Sequence, residues 1–303
     1  MTGNRPPVLI YCPGRTATTS LGVTLTDHGV ANLVTHNLDW QFWAERNRHA
    51  LGPQPKPGQL NGIAYELQRM RQAEMALAES RNGRVPPIKI VTAVRFPYNH
   101  FFSVIAYMAP HQFDALQRAG LASSTDGGLA VDADGYLALL EEAAARFCRS
   151  LATDPEILIR ADTGDGYRPP LDPRDEIRNF ALFYIQYMQT WLRREFQAVL
   201  GIDLLRDRPM ASGHGAWIYD TVHAQVLLLK IDEPALDFGG WLGSFLQVDG
   251  LEMRRENQSA DRHPGFHGLV MSLKERFGYK AALLGHYRAD PLLQLLYPDE
   301  TQP

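Results

Sequence analysis

Val8-Leu9-Ile10-Tyr11-Cys12-Pro13-Gly14-Arg15-Thr16-Ala17-Thr18-Thr19-Ser20 is the stretch that decides how this chain folds. Val8 to Tyr11 is apolar, partly β-branched and closed by Pro13-Gly14, which predicts a short buried strand. Thr18 to His28 predicts a helix, with threonine and serine available for its N-terminal cap and Gly29 suited to its stop. Ala31 to Thr35 predicts a second strand. A strand–loop–helix–strand opening implies a parallel sheet with a helical crossover, and hence an α/β protein.

Further along, Pro53 to Gly58 is a proline-rich loop. Gly62 to Asn82 predicts a long amphipathic helix carrying Ile63, Leu67, Met70 and Leu77. Ile88 to Val94 is the clearest strand in the chain. It ends at Arg95-Phe96-Pro97, and Pro97 suits the first turn of a helix running to about Met108. Ala109 to Gly135, rich in Gly, Ser and Asp, predicts an insertion or mobile loop that would serve as a lid over an acceptor. Helices are expected near Tyr136 to Leu151 and Asp175 to Leu200, with a Gly/Pro/Asp stretch from Thr163 to Pro173 between them. Trp217 to Tyr219 and Val226 to Ile231 predict a late strand pair. A loop from Met253 to Gly268 and short helices reaching Tyr297-Pro298 complete the chain. No repeat or low-complexity block interrupts it, so one domain over residues 1–303 with an insertion at 109–135 is expected.

Composition narrows the class. Apolar residues make up 45% of the 303 and charged residues 21%, enough for a substantial core. A net charge of −4 gives no basic patch for nucleic acid. Cys12 and Cys148 are too few for a disulfide framework and fit a reducing compartment. The polar start, the four-residue apolar run behind it and the lack of any long apolar window predict a soluble, cytoplasmic protein without a membrane span.

The first loop carries the chemistry. A loop leaving a parallel strand and opening a helix aims several backbone N–H groups at one point, and with the helix dipole that makes an anion site. Gly14 lies within it. Arg15 adds a fixed charge with a fork of donors, and Thr16, Thr18, Thr19 and Ser20 add hydroxyls. The alternative is a strand-to-helix turn whose hydroxyls cap the helix. No Gly-Lys-Ser/Thr closes the loop as in a Walker A sequence. Position 18, where a phosphatase signature starting at Cys12 would need arginine, holds Thr18. Cys12 is therefore expected to be a buried strand end. A second element, Arg95 to Ser103, places an arginine where a strand gives way to a helix and a serine eight residues on. Their side chains could converge on one phosphate; alternatively, the arginine is solvated and the serine packs.

Taken together, the two elements resemble the sulfotransferases that use 3′-phosphoadenosine 5′-phosphosulfate (PAPS). Their first loop has the form Pro-(Lys/Arg)-Ser/Thr-Gly-Thr/Ser-Thr/Ser, and Pro13-Arg15-Thr16-Ala17-Thr18-Thr19 is similar to it with Gly14 inserted and Ala17 in the glycine position. Arg95 and Ser103 match the arginine and serine that follow the third strand. The chain is most similar to the bacterial sulfotransferase-like proteins associated with capsular polysaccharide synthesis, in which a Thr-His follows the second strand, as Thr35-His36 does here. Leu228-Leu229-Lys230-Ile231-Asp232, Asn257 and Tyr297 are its counterparts of later elements. The resemblance implies a three-layer α/β fold with a central parallel sheet of P-loop NTPase-like sulfotransferase architecture. It implies that residues 14 to 20, including Ala17, cradle the 5′-phosphosulfate and that Arg95 and Ser103 hold the 3′-phosphate. Asn257 to His267, with Arg262, would close on the nucleotide.

The expected reaction is sulfuryl transfer from PAPS to a hydroxyl of a carbohydrate, lipid or small molecule. Arg15 would stabilise the leaving phosphate and His36, one of ten histidines, would act as general base. Glu66 and Glu74 are the substitute bases. His263 and His267 have a metal-like spacing, but Pro264-Gly265 argues against a helix there and no third ligand is evident, so no metal is expected. Asp132-Ala133-Asp134-Gly135 lacks the rest of a calcium loop. Phe101, Phe102, Tyr107 and Phe180 to Tyr187 are either an acceptor pocket or core. A P-loop kinase and a degenerate nucleotide-binding module are the alternatives in function.

Overall fold

The structure, a computed structural model, describes residues 6–44, 57–125, 128–153, 172–254 and 264–298. Its strands are β1 (Val8–Tyr11), β2 (Asn32–Thr35), β3 (Ile88–Val94), β4 (Ala122–Thr125), β5 (Gly128–Val131), β6 (Ala211–Gly213), β7 (Ala216–Asp220) and β8 (Ala224–Lys230). The helices used below are α1 (Thr18–Asp27), α2 (Pro57–Arg81), α3 (Pro97–Arg118), α4 (Ala133–Thr153), α5 (Pro173–Trp191), α6 (Phe238–Leu246), α7 (Pro264–Arg276), α8 (Lys280–Ala289) and α9 (Pro291–Leu296). The chain forms two compact units. Met1–Trp40, Pro57–Phe96 and Arg193–Gln258 make the first, and Gln41–Lys56, Pro97–Leu192 and Ser259–Pro303 the second.

The first unit is built on a six-stranded sheet in the order β2-β1-β3-β8-β7-β6. The pairs β1–β2, β1–β3 and β3–β8 are parallel, and the β6–β7 and β7–β8 pairs are antiparallel. The structure is therefore α/β with a mostly parallel central sheet flanked by helices, as the opening residues predict. Val8, Ile10 and Cys12 alternate with Leu9 and Tyr11 along β1, so the strand is apolar on both faces, as a central parallel strand must be. One face buries Ile10, Cys12, Val91, Ala93, Leu227 and Leu229 against Leu21 and Leu25 of α1 and Leu242 and Phe245 of α6. Right-handed crossovers place α2 on the opposite face, because β2 lies on one side of β1 and β3 on the other. Accordingly, none of the described α2 side chains joins that cluster.

This strand order has a functional consequence. Where β1 leads to a neighbour on one side and β2 leads back across it to β3, open sheets leave a crevice at the carboxyl ends of β1 and β3. Backbone pairing between those strands is confined to Leu9↔Ile90 and Ile10↔Val91. Above it side chains bridge the two: Thr92 Oγ1 donates to Tyr11 O at 2.8 Å, and Cys12 Sγ accepts from Ala93 N at 3.1 Å.

The second unit contains α3, α4, α5, α7, α8 and α9 with the antiparallel hairpin β4–β5. Pro173 opens α5 behind Asp172, whose carboxylate accepts from Arg174 N. Phe101, Phe102, Phe180, Phe183, Tyr184 and Tyr187 are all buried, which makes them core. His100 is fully buried too, stacked on Tyr187 with centroids 5.4 Å apart. Two expectations need correction here. The helix predicted to stop near Met108 continues to Arg118, and Ile105 and Leu116, three turns apart on it, are both buried. The irregular loop expected for Ala109 to Gly135 is thus the end of that helix followed by a hairpin. Pro264 opens α7 rather than preventing a helix, since proline lacks only an N–H that a first turn leaves unpaired anyway. None of the described helices is long and apolar enough to cross a membrane.

Leu227, fully buried in the middle of β8, tests the sheet core of the first unit. Leu227→Ala is expected to lower stability by about 2–5 kcal/mol through lost transfer energy and an unfilled cavity, read as a lower midpoint in urea denaturation.

Candidate functional site

The candidate site is assembled at the carboxyl edge of the first unit's parallel strands, from residues immediately beyond the last backbone rungs. Between β1 and α1 the chain turns through two left-handed residues, Arg15 at φ 69° and Ala17 at φ 64°. Gly14 and Thr16 lie on the other side of φ = 0, so the sign alternates along the loop. Alternation of right- and left-handed residues is the backbone pattern from which anion-binding nests are built. Ala17 is also the N-cap of α1, and its methyl side chain offers no acceptor for a cap. Thr16 Oγ1 donates back to Pro13 O, closing the loop on itself. Thr16, Thr18 and Ser20 are buried, Thr19 is exposed, and Gly14, Arg15 and Ala17 are half-buried.

Cys12 lies at the root of the loop. Its sulfur takes the Ala93 N–H and donates to Val91 O, and burial pushes its thiol up to about 12. It is a bridge between β1 and β3 rather than a nucleophile.

His36 follows β2, one strand over. Its Nδ1 is 3.0 Å from Cys12 O. A carbonyl oxygen only accepts, so the neutral ring carries its proton on Nδ1 and its lone pair on Nε2. Arg95 leaves β3 on the other side of the loop and is half-buried. Both of its neighbours are held by the exit from β8: Ile231 N donates to Val94 O at 3.0 Å, and Asp232 Oδ2 accepts from Phe96 N at 2.8 Å. The loop, His36 and Arg95 thus come from adjacent strands β1, β2 and β3 around the β1/β3 switch point. Lys230 ends β8 at the same edge, buried and 3.1 Å from Glu233.

Other candidates fall elsewhere. Ser103 is half-buried on α3 and belongs to the second unit, as does buried Tyr297. Arg262, Asn257 and His263 lie outside the described residues, while His267 is on α7. Glu74 accepts from Trp40 Nε1 at 2.6 Å, and Glu66 is half-buried on α2. Among the described residues, no group of three or more His, Cys, Asp or Glu side chains is placed to hold a metal ion.

One residue of the site is absent from the sequence-based expectations. Glu195 belongs to a π-helical turn, Leu192–Gln197, where a regular helix from Asp175 to Leu200 is predicted. It is fully buried. Its Oε1 accepts from Asn37 Nδ2 at 2.8 Å, and its Oε2 accepts from Leu38 N at 2.7 Å, Asp39 N at 2.9 Å and the Tyr11 hydroxyl. Burial pushes the carboxyl up to about 6, although all four hydrogen bonds pull the other way. Arg194 adds an ion pair with Asp39 at 2.9 Å. The signal in the sequence is positional. Glu195 falls four residues after Trp191 and three after Leu192, on a stripe that is otherwise apolar, where an unpaired charge is rarely found.

Two measurements test these features. A left-handed non-glycine residue costs about 1–2 kcal/mol, partly offset by the chain entropy that glycine loses on folding. Ala17→Gly is therefore expected to raise stability by about 0.5–1 kcal/mol, and Ala17→Val to lower it by more than that, as read from melting temperatures. For Glu195 the folded state favours the protonated form. Its stabilising contribution is complete below about 4.5 and is lost as the pH rises through about 6. The penalty of Glu195→Gln, which mimics the protonated acid, should therefore be about 2 kcal/mol smaller at pH 7.5 than at pH 4.5, checked by urea denaturation at both. Compared with family models, curated proteins and solved structures, the chain matches none, so its functional reading rests on this geometry and on the motifs quoted above.

Proposed function

We propose that the first unit binds PAPS at this edge and that the protein transfers its sulfuryl group to an acceptor hydroxyl. The observation that carries the proposal is the convergence of three features on the β1/β3 switch point. A backbone nest with Arg15 lies on one strand exit, a half-buried Arg95 on the next, and a histidine with its lone pair on Nε2 on the third. The nest and Arg15 suit the 5′-phosphosulfate, and Arg95 suits a second phosphate of the same nucleotide.

In the reaction the acceptor oxygen forms a bond to sulfur as the bond between sulfur and the bridging phosphate oxygen breaks. The acceptor proton passes to His36 Nε2. The electron pair of the broken bond leaves on the 5′-phosphate, where Arg15 and the loop N–H groups meet the growing charge. The left-handed position of Ala17 also gives a reason for glycine in the loops this one resembles, since that conformation suits glycine best.

Titration with 3′-phosphoadenosine 5′-phosphate by calorimetry tests the site. Loss of one charge-assisted contact is worth about 1.5–3 kcal/mol, so Arg15→Ala and Arg95→Ala are each expected to weaken binding by about 10-fold to 100-fold. Micromolar affinity surviving both changes would refute the assignment, and a preference for ATP with magnesium would move the protein to phosphoryl transfer. In a transfer assay over sugar, lipid and phenolic hydroxyls, His36→Ala is expected to lower kcat by about 10²–10⁴-fold, with nucleotide affinity unchanged.

A further inference from the structure

A neutral histidine exists as two tautomers, and only the one with its lone pair on Nε2 uses that nitrogen as a base. The hydrogen bond to Cys12 O, 3.0 Å away, keeps the proton of His36 on Nδ1. The β1–β2 ladder does not secure that bond. Its last register pair is Tyr11↔Thr35, extended by one bond from Cys12 N to Thr35 O at 3.3 Å. His36 and the residues after it lie beyond the ladder.

What holds them is a carboxylate. Glu195 takes the hydroxyl of Tyr11, which directly precedes Cys12, together with the Asn37 side chain and the N–H groups of Leu38 and Asp39, which directly follow His36. Both partners of the Cys12–His36 bond are therefore flanked by residues fixed to the same two oxygens. Every donor to Glu195 is neutral: a phenol, an amide and two backbone N–H groups. Oε2 receives three of the four. Thr35 Oγ1 adds one more tie to this segment by donating to Asn37 O at 3.0 Å.

We infer that Glu195 is the positioning residue of His36, stapling the exits of β1 and β2 so that the imidazole keeps its Nδ1–H tautomer and presents Nε2 as the proton acceptor. The consequence for catalysis rests on the proposed sulfuryl transfer; the consequence for the tautomer does not.

Nitrogen-15 spectra of the imidazole rings in the full-length protein, near pH 8 and without ligand, separate the two. His36, assigned by its loss in His36→Gln, is expected to show a protonated-type Nδ1 and an unprotonated-type Nε2. In Glu195→Gln and in Tyr11→Phe the two signals should move toward one another as the tautomers exchange. Circular dichroism and melting establish that each variant is folded; if Glu195→Gln is not, Tyr11→Phe and Asn37→Ser decide. Folded variants that keep the wild-type pair of shifts overturn the inference. Where transfer is measurable, the same variants should lower kcat by about 10-fold to 100-fold, as loss of a residue orienting a functional histidine does, with the KM for nucleotide unchanged. Tautomer exchange in the variants, with no transfer by wild-type protein on any acceptor, would uphold the role of Glu195 and sink the enzymatic proposal instead.

Discussion

A parallel sheet stops supplying hydrogen bonds at the ends of its strands, and Arg15, His36 and Arg95 lie just past that limit. Arg15 is four residues beyond the end of β1, while His36 and Arg95 are each one residue beyond β2 and β3. Their placement therefore depends on side chains standing in for absent ladder rungs. Glu195 does so for β1 and β2, Asp232 for β3, and Cys12 with Thr92 between β1 and β3. Each of these residues bonds a backbone group. That is the economical way to fix a strand exit, because one carboxylate oxygen can accept from two consecutive N–H groups, as Oε2 does from Leu38 and Asp39.

The loop between β1 and α1 has the opposite character. Two left-handed residues without the excuse of glycine, and a helix start without a side-chain cap, are local departures from what a chain prefers. Thr16, fully buried and bonded back to Pro13 O, holds the turn closed, and the Cys12 bridge holds its root. A rigid surround of that kind sustains strain in the middle of the loop. Preorganised donors lower the reorganisation needed when charge develops on a bound group.

The parts of this arrangement that the sequence made legible are those with a local cause. Ile88 to Val94 is called correctly to the residue because an apolar, β-branched run between a proline pair and Arg95 has few other uses. The β1 loop and His36 are visible for the same reason, a break in the hydrophobic pattern followed by polar residues. The hairpin β4–β5 is hidden because Ser123, Ser124 and Gly128 carry no alternating apolar signal, and its strands are defined by pairing with each other. Glu195 is hidden because its partners are more than 150 residues away in sequence. The π-helical turn that carries it departs from the period by which helix faces are read.

The use of a carboxylate at position 195 follows from the donors it meets. An amide in its place would offer one oxygen, and its NH2 would face either the Asn37 amide or the three donors now gathered on Oε2. An aliphatic residue would remove the acceptor of the Leu38 and Asp39 N–H groups and of the Tyr11 hydroxyl, and a buried N–H left without one costs about 1–3 kcal/mol. The carboxylate satisfies all four donors, and the desolvation this requires is visible in its own acidity, pushed up to about 6. Since none of its partners is a cation, the four hydrogen bonds do not remove that penalty.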